Sequence, residues 1–168
     1  AHMLDRGIST ETMAMAVSAH AIALTVAKMY TGFSFDKFGL RVTMLVCNLC
    51  AIVGILMLAF VSGGTMAFIT EILTSFALPL ETIMLPIFAG DLFGEKSFNK
   101  IMGLFVSINT AGYAVGTPLT NWVFDRFGTY IPMFVAGAII MTIVTIVFQF
   151  VISASQKDKS EILEKEAA

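Results

Sequence analysis

A succession of long apolar segments constrains the fold more than any other feature of the sequence. Five stretches carry few charges: residues 12–32, 42–61, 65–90, 101–124 and 130–153. A helix of about 20 mainly apolar residues can cross the hydrocarbon core of a bilayer. The chain is 57% hydrophobic and only 13% charged, which is far from the balance of a soluble domain. The sequence therefore predicts an all-α, polytopic transmembrane bundle of five membrane-spanning helices.

Short breaks separate these segments, and most of them combine glycine with charge, as the ends of helices do. They read FSFDKFGLR, VSGGT, GDLFGEKSFNK and FDRFGT. Links this short predict antiparallel neighbours. Residues 1–3 look like the remnant of a cloning site, residues 4–153 form the predicted membrane domain, and residues 154–168 form a polar tail without a site.

The distribution of basic residues predicts the orientation, because cytoplasmic loops carry an excess of Lys and Arg. With the turn at 33–41 placed in the cytoplasm, the inner residues are Lys37, Arg41, Lys96, Lys100, Lys157, Lys159 and Lys165, and the outer ones are Arg6 and Arg126. We therefore expect the tail to be cytoplasmic. A net charge of −2 and scattered basic residues give no indication of nucleic-acid binding.

One turn carries a specific motif. Its residues are Gly32, Asp36, Lys37, Gly39 and Arg41, in the order G-x-x-x-D-K-x-G-x-R. This pattern resembles the cytoplasmic loop motif of the major facilitator superfamily, G-x-x-x-D-R-x-G-R-R, and departs from it at Lys37 and Leu40. Gly32 would allow close helix approach, Asp36 would face a helix amino terminus, and the basic residues would anchor the turn. A positively charged loop with a capping Asp is the alternative interpretation.

The resemblance extends over nearly the whole chain. The order of loops is similar to that of helices eight to twelve of a twelve-helix facilitator, so seven preceding helices are expected outside the chain. The pattern in 116–130, together with Lys28 eight residues before Asp36, looks most like the branch of monocarboxylate transporters and oxalate/formate antiporters. The resemblance implies a latch role for the motif turn. It also implies lipid-facing segments at 42–61 and 130–153, with the other three lining a central cavity.

The core of the motif turn nearly recurs in the chain. FDKFG at 35–39 is echoed by FDRFG at 124–128. The chain is predicted to cross the membrane three times between them, which places the two turns on opposite faces. Secondary transporters often contain inverted three-helix repeats, and this echo is typical of such a repeat. A chance similarity of five residues is the alternative.

Ionisable groups inside the membrane are candidate functional residues because they are costly to bury. Lys28 is a candidate for binding a substrate carboxylate, although it also lies close enough to the cytoplasmic end to extend its ammonium group there. His20 is a candidate for substrate binding or proton relay. The alternative is a neutral histidine that packs against another helix. Glu81 lies between Pro79 and Pro86 and is the candidate for proton or ion coupling. Its alternative role is a stabilising hydrogen bond between helices.

A polar stripe in the fourth segment is the last candidate site. Thr110, Tyr113 and Thr117 recur at helical spacing and could bind a small solute, or could equally hold helices together. Gly112 and Gly116 form G-x-x-x-G, which favours a close helix crossing.

No pattern indicates an enzyme, a metal site or a cofactor. The C-x-x-C at 47–50 lies inside an apolar segment, where two small buried side chains are expected, and zinc would need a second pair of ligands. We therefore predict a fragment of a secondary active transporter in the cell membrane. It would move a small organic anion, a monocarboxylate or dicarboxylate, by alternating access with its amino-terminal half. The alternative is a membrane scaffold or oligomerising module without a translocation path.

Overall fold

Every regular element in the described part of the chain is a helix, which confirms the predicted all-α class. The structure is a computed structural model that describes residues 2–167, and the side chains of residues 2–155. The elements are α1 His2–Asp5, α2 Thr10–Ala59, α3 Gly64–Thr74, a π-helix Leu80–Met84, α4 Leu85–Phe127 and α5 Ile131–Ala167.

The longest element, α2, is folded into two arms. Gly39 interrupts it with φ 77° and ψ 175°. Glycine adopts this region without the steric cost that a Cβ atom would add. The first arm covers residues 10–38 and the second arm covers residues 40–59.

Contacts across Gly39 show that the two arms are antiparallel. The hydroxyl groups of Ser34 and Thr43 lie 3.0 Å apart, and the Thr31 hydroxyl lies 3.6 Å from the Cys47 sulfur. Both pairs are spaced almost evenly about Gly39, as the two sides of a hairpin must be. All four side chains are buried. Small polar groups therefore bond to each other where the arms meet.

A second reversal divides α4. Gly94 has φ 70° and ψ 171°, almost the conformation of Gly39. The rings of Phe88 and Phe105, on either side of Gly94, lie 6.3 Å apart between centroids. Residues 95–127 therefore run back along residues 85–93 as the outer arm of α4.

Three copies of D-x-F-G punctuate the helices: DKFG at 36–39, DLFG at 91–94 and DRFG at 125–128. Each copy ends in a glycine with positive φ. Gly128 ends α4 in the left-handed region with φ 66° and ψ 13°, and its N–H bonds to the Phe124 carbonyl at 2.7 Å. The first two copies reverse a helix and the third caps one.

Two apolar clusters mark the opposite ends of the bundle. One contains Met3, Ile8, Ala16, Val61 and Ala67, and the other contains Leu40, Met44, Met84, Phe88 and Ile152. The turn at Gly39 adjoins the second cluster. The turn at Gly128 is at the other end, where Tyr130 stacks on Phe124 and lies 5.8 Å from the ring of His2. FDKFG and FDRFG therefore lie at opposite ends of the bundle.

The first residues of the chain pack onto the end of the bundle that contains the turn at Gly128. The His2 ring donates from Nε2 to the Leu58 carbonyl at 3.0 Å and lies edge-on to Phe134 with centroids 5.1 Å apart. Burial lowers the pKa of His2 from its ordinary value of 6.5. Residues 2 and 3, which were predicted to be cloning remnants, thus join the fold; residue 1 is outside the described residues.

The segment predicted at 65–90 is not one continuous helix. Helix α3 ends at Thr74, and the chain continues through tighter bonds from Phe76 to Leu73 and from Ala77 to Thr74 before the π-helix begins. Pro79 explains the break, because it cannot donate to the carbonyl four residues earlier and its ring collides with that group. The Ser75 hydroxyl instead bonds back to the Ile72 carbonyl at 2.7 Å.

Two helices in the described part of the chain are long and apolar enough to cross a membrane: Thr10–Ala59 and Ile131–Ser155. The first includes both arms of α2, and therefore the predicted segments 12–32 and 42–61. The shorter Gly64–Thr74 is also apolar. The count of five spans is not confirmed and stays a prediction.

Residues 154–167 of the predicted polar tail continue α5, whose backbone is helical to Ala167; residue 168 is outside the described residues. The side chains of Lys157, Lys159 and Lys165, on which the predicted orientation partly rests, lie outside the described side chains.

Gly54 permits the closest approach between the second arm and α3. A Cβ atom there would lie 2.9 Å from both the Thr74 backbone nitrogen and its Cγ2 atom. We expect Gly54→Ala to separate these helices and to lower the free energy of unfolding by about 1–3 kcal/mol, because backbone cannot yield as a flexible side chain can. The measurement is SDS-induced unfolding in mixed micelles, followed by circular dichroism.

Gly137→Ala is the matched control, since a Cβ atom at Gly137 in α5 would meet no atom within 4 Å. It should leave the midpoint unchanged or raise it. Equal midpoints for the two variants would contradict the close packing of Gly54.

Candidate functional site

Glu81 lies in the only π-helix of the described residues. The π-helix covers Leu80–Met84, with Pro79 before it and Pro86 two residues after its end. Short π-helical turns are rare and frequently occur at functional sites. The Glu81 side chain is exposed and contacts the outer arm of α4.

Two side chains of the outer arm of α4 bind the Glu81 carboxylate. Asn109 donates from Nδ2 to one carboxylate oxygen, and the Tyr113 hydroxyl donates to the other at 3.4 Å. Asn109 and Tyr113 are four residues apart and therefore share one face of the helix. An ionised carboxylate accepts both bonds. The bonds connect the π-helix to the arm that returns from Gly94.

A cavity of about 590 Å³ opens beside Glu81, within the range of ligand pockets. Its walls come from the second arm of α2, the π-helix region, the outer arm of α4 and α5. The polar lining residues are Asn48, Glu81 and Asn109, and the remaining lining is apolar. Glu81 is the one ionisable residue among them.

Asn48 presents an unpaired amide to this cavity. The residue is only 6% exposed, and its side chain has no hydrogen-bond partner among the described residues. Among the described residues, Thr70 Oγ1 is the one buried side-chain polar atom without a hydrogen-bond partner, so the Asn48 amide is not fully buried and can bond to a ligand or water in the cavity.

The walls of the cavity include residues from two segments that were expected to face lipid. The segments at 42–61 and 130–153 supply Met44 and Asn48 from the second arm and Met141 and Phe148 from α5. Only 17% of the apolar window in Ile131–Ser155 is buried, and the expectation that these segments face lipid stays a prediction.

His20 is placed away from this cavity, where it contacts Glu71 of a neighbouring helix. Its Nδ1 atom lies 2.9 Å from the Glu71 backbone carbonyl and 3.0 Å from the Glu71 carboxylate. Both partners only accept, so Nδ1 carries the proton. The pair connects the first arm of α2 to α3. Its contacts match a packed histidine, and its predicted role in substrate binding stays a prediction.

Lys28 is exposed and has no ion-pair or hydrogen-bond partner among the described residues. It does not line the cavity around Glu81. The structure therefore does not place Lys28, the candidate for binding a substrate carboxylate, in the same cavity as Glu81, the candidate for proton or ion coupling.

The three residues of the predicted polar stripe, Thr110, Tyr113 and Thr117, have different surroundings. Thr110 is exposed, and its hydroxyl bonds to the Val106 carbonyl of its own helix at 2.9 Å. Tyr113 reaches Glu81. Tyr113 and Thr117 also line a smaller hollow of about 330 Å³ with Asn121.

The predicted close helix crossing at Gly112 and Gly116 is not made within the described part of the chain. A Cβ atom at either position would meet no atom within 4 Å, and the same holds at Gly32. These faces stay open because the outer arm of α4 makes few contacts with α5 and the first arm.

The motif turn is fixed to α5 by a side chain that the sequence did not indicate. Arg41 donates from Nε to the Gln149 side-chain oxygen at 3.1 Å, and Gln149 donates back to the Arg41 carbonyl at 3.1 Å. Lys37 lies 5.4 Å from the ring centroid of Phe38 and Asp36 is exposed. Arg41 thus anchors the turn to another helix as well as to the surface.

The sequence predicted Glu81 and Tyr113, but not Asn109 or Asn48. Asn109 was detectable, because it precedes Tyr113 by four residues and so lies on the same helical face as that member of the polar stripe. Asn48 was not, because it lies in a segment expected to face lipid.

No group of three or more His, Cys, Asp or Glu side chains that could hold a metal ion occurs among the described residues. Cys47 is buried and Cys50 is half-buried, and both are free thiols.

Comparison with known proteins shows the family. No curated protein and no solved structure matches the chain significantly. The family model described as Major Facilitator Superfamily matches residues 1–168, which is the full sequence. That match agrees with the all-helical fold and with its long apolar helices. The chain therefore belongs to the Major Facilitator Superfamily of membrane transporters.

Proposed function

We propose that the chain is part of the carboxy-terminal half of a secondary transporter that moves a small solute by alternating access. The order of its loops and the motif at Gly32–Arg41 support a correspondence to helices eight to twelve. An amino-terminal half of the same transporter would complete the path. Alternating access requires two bundles that rock about a shared site.

The observation that carries the proposal is the arrangement around Glu81. A carboxylate in a π-helix between two prolines bonds to the facing helix and borders a cavity. A carboxyl group can take up and release a proton, and protonation removes the charge that strengthens the bonds from Asn109 and Tyr113. Protonation of Glu81 would thereby alter the contact between the π-helix and the outer arm of α4. That coupling of charge to helix contact is what a proton-driven carrier needs.

The proposed substrate is a small organic anion, a monocarboxylate or dicarboxylate. Lys28 supports this choice, because its ammonium group has no partner among the described residues and could bind a carboxylate. The similarity of residues 116–130 to the monocarboxylate and oxalate/formate branch supports it further. His20, Thr110, Tyr113 and Thr117 are the proposed neighbours of the substrate.

The proposed location is the cell membrane, with the motif turn and the carboxy terminus in the cytoplasm. The excess of Lys and Arg on that side supports the orientation. The reversals at Gly39 and Gly94 adjoin the same apolar cluster, so their basic residues lie at one end of the bundle.

Glu81→Gln tests the coupling role in the complete carrier. The amide keeps the shape of the side chain but cannot exchange a proton, so we expect uptake driven by a pH gradient to fall by about 100-fold, at the lower end of typical losses for a proton-transfer group. Exchange of labelled substrate without a gradient should remain. The measurement is uptake into proteoliposomes with and without an imposed gradient.

Glu95→Gln is the control, because Glu95 is exposed beside the Gly94 turn and outside the site. Unchanged gradient-driven uptake in Glu81→Gln would show that another group carries the proton.

Lys28→Ala tests the proposed substrate class. Loss of a charge-assisted bond costs about 1.5–3 kcal/mol, so the KM for an anionic substrate should rise by about tenfold or more. Lys28→Arg should restore part of the affinity because it keeps the charge. The measurement is uptake of a panel of labelled carboxylates by the complete carrier, and an unaltered KM in Lys28→Ala would remove Lys28 from the site.

A further inference from the structure

The cavity around Glu81 has the wrong charge for the anion proposed above. Glu81 is the one ionisable residue that lines it, and the Lys28 ammonium group does not reach it. A carboxylate ligand placed there would face a like charge in a mainly apolar cavity. The cavity therefore favours a ligand that is cationic at one end.

Glu81 has spare capacity to accept such a ligand. Its two oxygens offer about four acceptor positions, of which Asn109 and Tyr113 use one on each oxygen. The neutral donors orient the carboxylate without cancelling its charge. The side chain is exposed toward the cavity, so a third donor can approach it.

Asn48 provides a second polar contact on another wall. Asn48 lines the same cavity, its side chain has no hydrogen-bond partner among the described residues, and its amide atoms are not fully buried. An amide both donates and accepts, so it can bond to a hydroxyl, carbonyl or amine group of a ligand.

The rest of the lining suits an apolar ligand body. Phe105 and Phe148 line the cavity, and both rings pack against the buried Phe88, with centroid separations of 6.3 Å and 5.2 Å. Their positions are thus fixed from behind. Met44 and Met141 add flexible apolar side chains that adapt to ligand shape. Aromatic rings also attract an ammonium group that passes over them.

We propose that this cavity binds an amphipathic organic amine, with the ammonium group on Glu81 and the apolar body between Phe105, Phe148 and the methionines. The site is separate from Lys28, and the proposal does not depend on which anion the carrier moves. An ammonium group and a proton cannot occupy the Glu81 carboxylate together. A bound amine would therefore inhibit coupling through Glu81.

Three probes that share one apolar body test the charge preference: 4-phenylbutylamine, 4-phenylbutanol and 4-phenylbutyrate. Their binding to the full chain in lipid nanodiscs is measured at neutral pH by equilibrium dialysis, with protein-free nanodiscs subtracted. We expect the amine to bind at least about tenfold more tightly than the alcohol, the value for a charge-assisted bond, and the carboxylate to bind least.

Glu81→Gln should abolish the preference for the amine, and Asn48→Ala should leave that preference in place. Glu71→Gln is the control for a membrane carboxylate outside the cavity, and it should bind the amine as the unaltered chain does. Circular dichroism establishes that each variant keeps its helices. Equal binding of the three probes, or an unchanged preference in Glu81→Gln, would overturn the proposal. So would tightest binding of the carboxylate.

Discussion

The structure depends on the reversal of α2 at Gly39. The positive φ of that residue turns the helix back on itself, and buried polar contacts between Ser34 and Thr43 and between Thr31 and Cys47 hold the arms together. Without the reversal, α2 would be one rod of 50 residues, about 75 Å long at the rise of an α-helix. No bilayer matches that length. The reversal instead produces two arms of the length that a membrane requires.

The candidate site follows from this arrangement. The second arm presents Asn48 to the π-helix, and the reversal at Gly94 brings Asn109 back to Glu81. The bonds between Arg41 and Gln149 fix α5 to the motif turn, and α5 carries Phe148 into the cavity wall. Contacts through one helix therefore connect the motif turn to the cavity wall. In a carrier that alternates between two states, such a connection would link the cytoplasmic turn to the binding site.

The sequence predicted the helical class and the turn at the motif, and it indicated Glu81 as a candidate, because each leaves a local pattern. Apolar length indicates a helix, a glycine among charges indicates a reversal, and an acidic residue between prolines indicates an irregular helix. The break of the segment at 65–90 into α3 and a π-helix was only partly predictable. The prolines indicate where hydrogen bonds are lost, but the contacts of this segment, between Thr74 and Gly54 and between Glu81 and Asn109, join residues that are distant in the sequence.

Contacts between residues that are far apart in the sequence could not be predicted. Gln149 is 108 residues from Arg41, and nothing in its neighbourhood indicates a partner. His20 was a candidate for substrate binding or proton relay. The sequence did not indicate its contact with Glu71, which joins two helices. The third D-x-F-G at 91–94 was visible in the sequence, but its equivalence to the motif turn emerged only from the matching backbone angles of Gly39 and Gly94.

Oxidative cross-linking across the α2 reversal tests the account most directly. The Thr31 hydroxyl lies 3.6 Å from the Cys47 sulfur, so Thr31→Cys, combined with Cys50→Ser, should form a disulfide with Cys47 when the membranes are oxidised. Met29→Cys, on the exposed face of the same arm, should not. The oxidant takes up two electrons and two protons as the bond forms, so intact mass spectrometry would show the loss of two hydrogen atoms in the first variant alone. If Thr31→Cys stayed reduced while both thiols reacted with a maleimide after unfolding, or if Met29→Cys cross-linked equally well, the antiparallel arms would be contradicted.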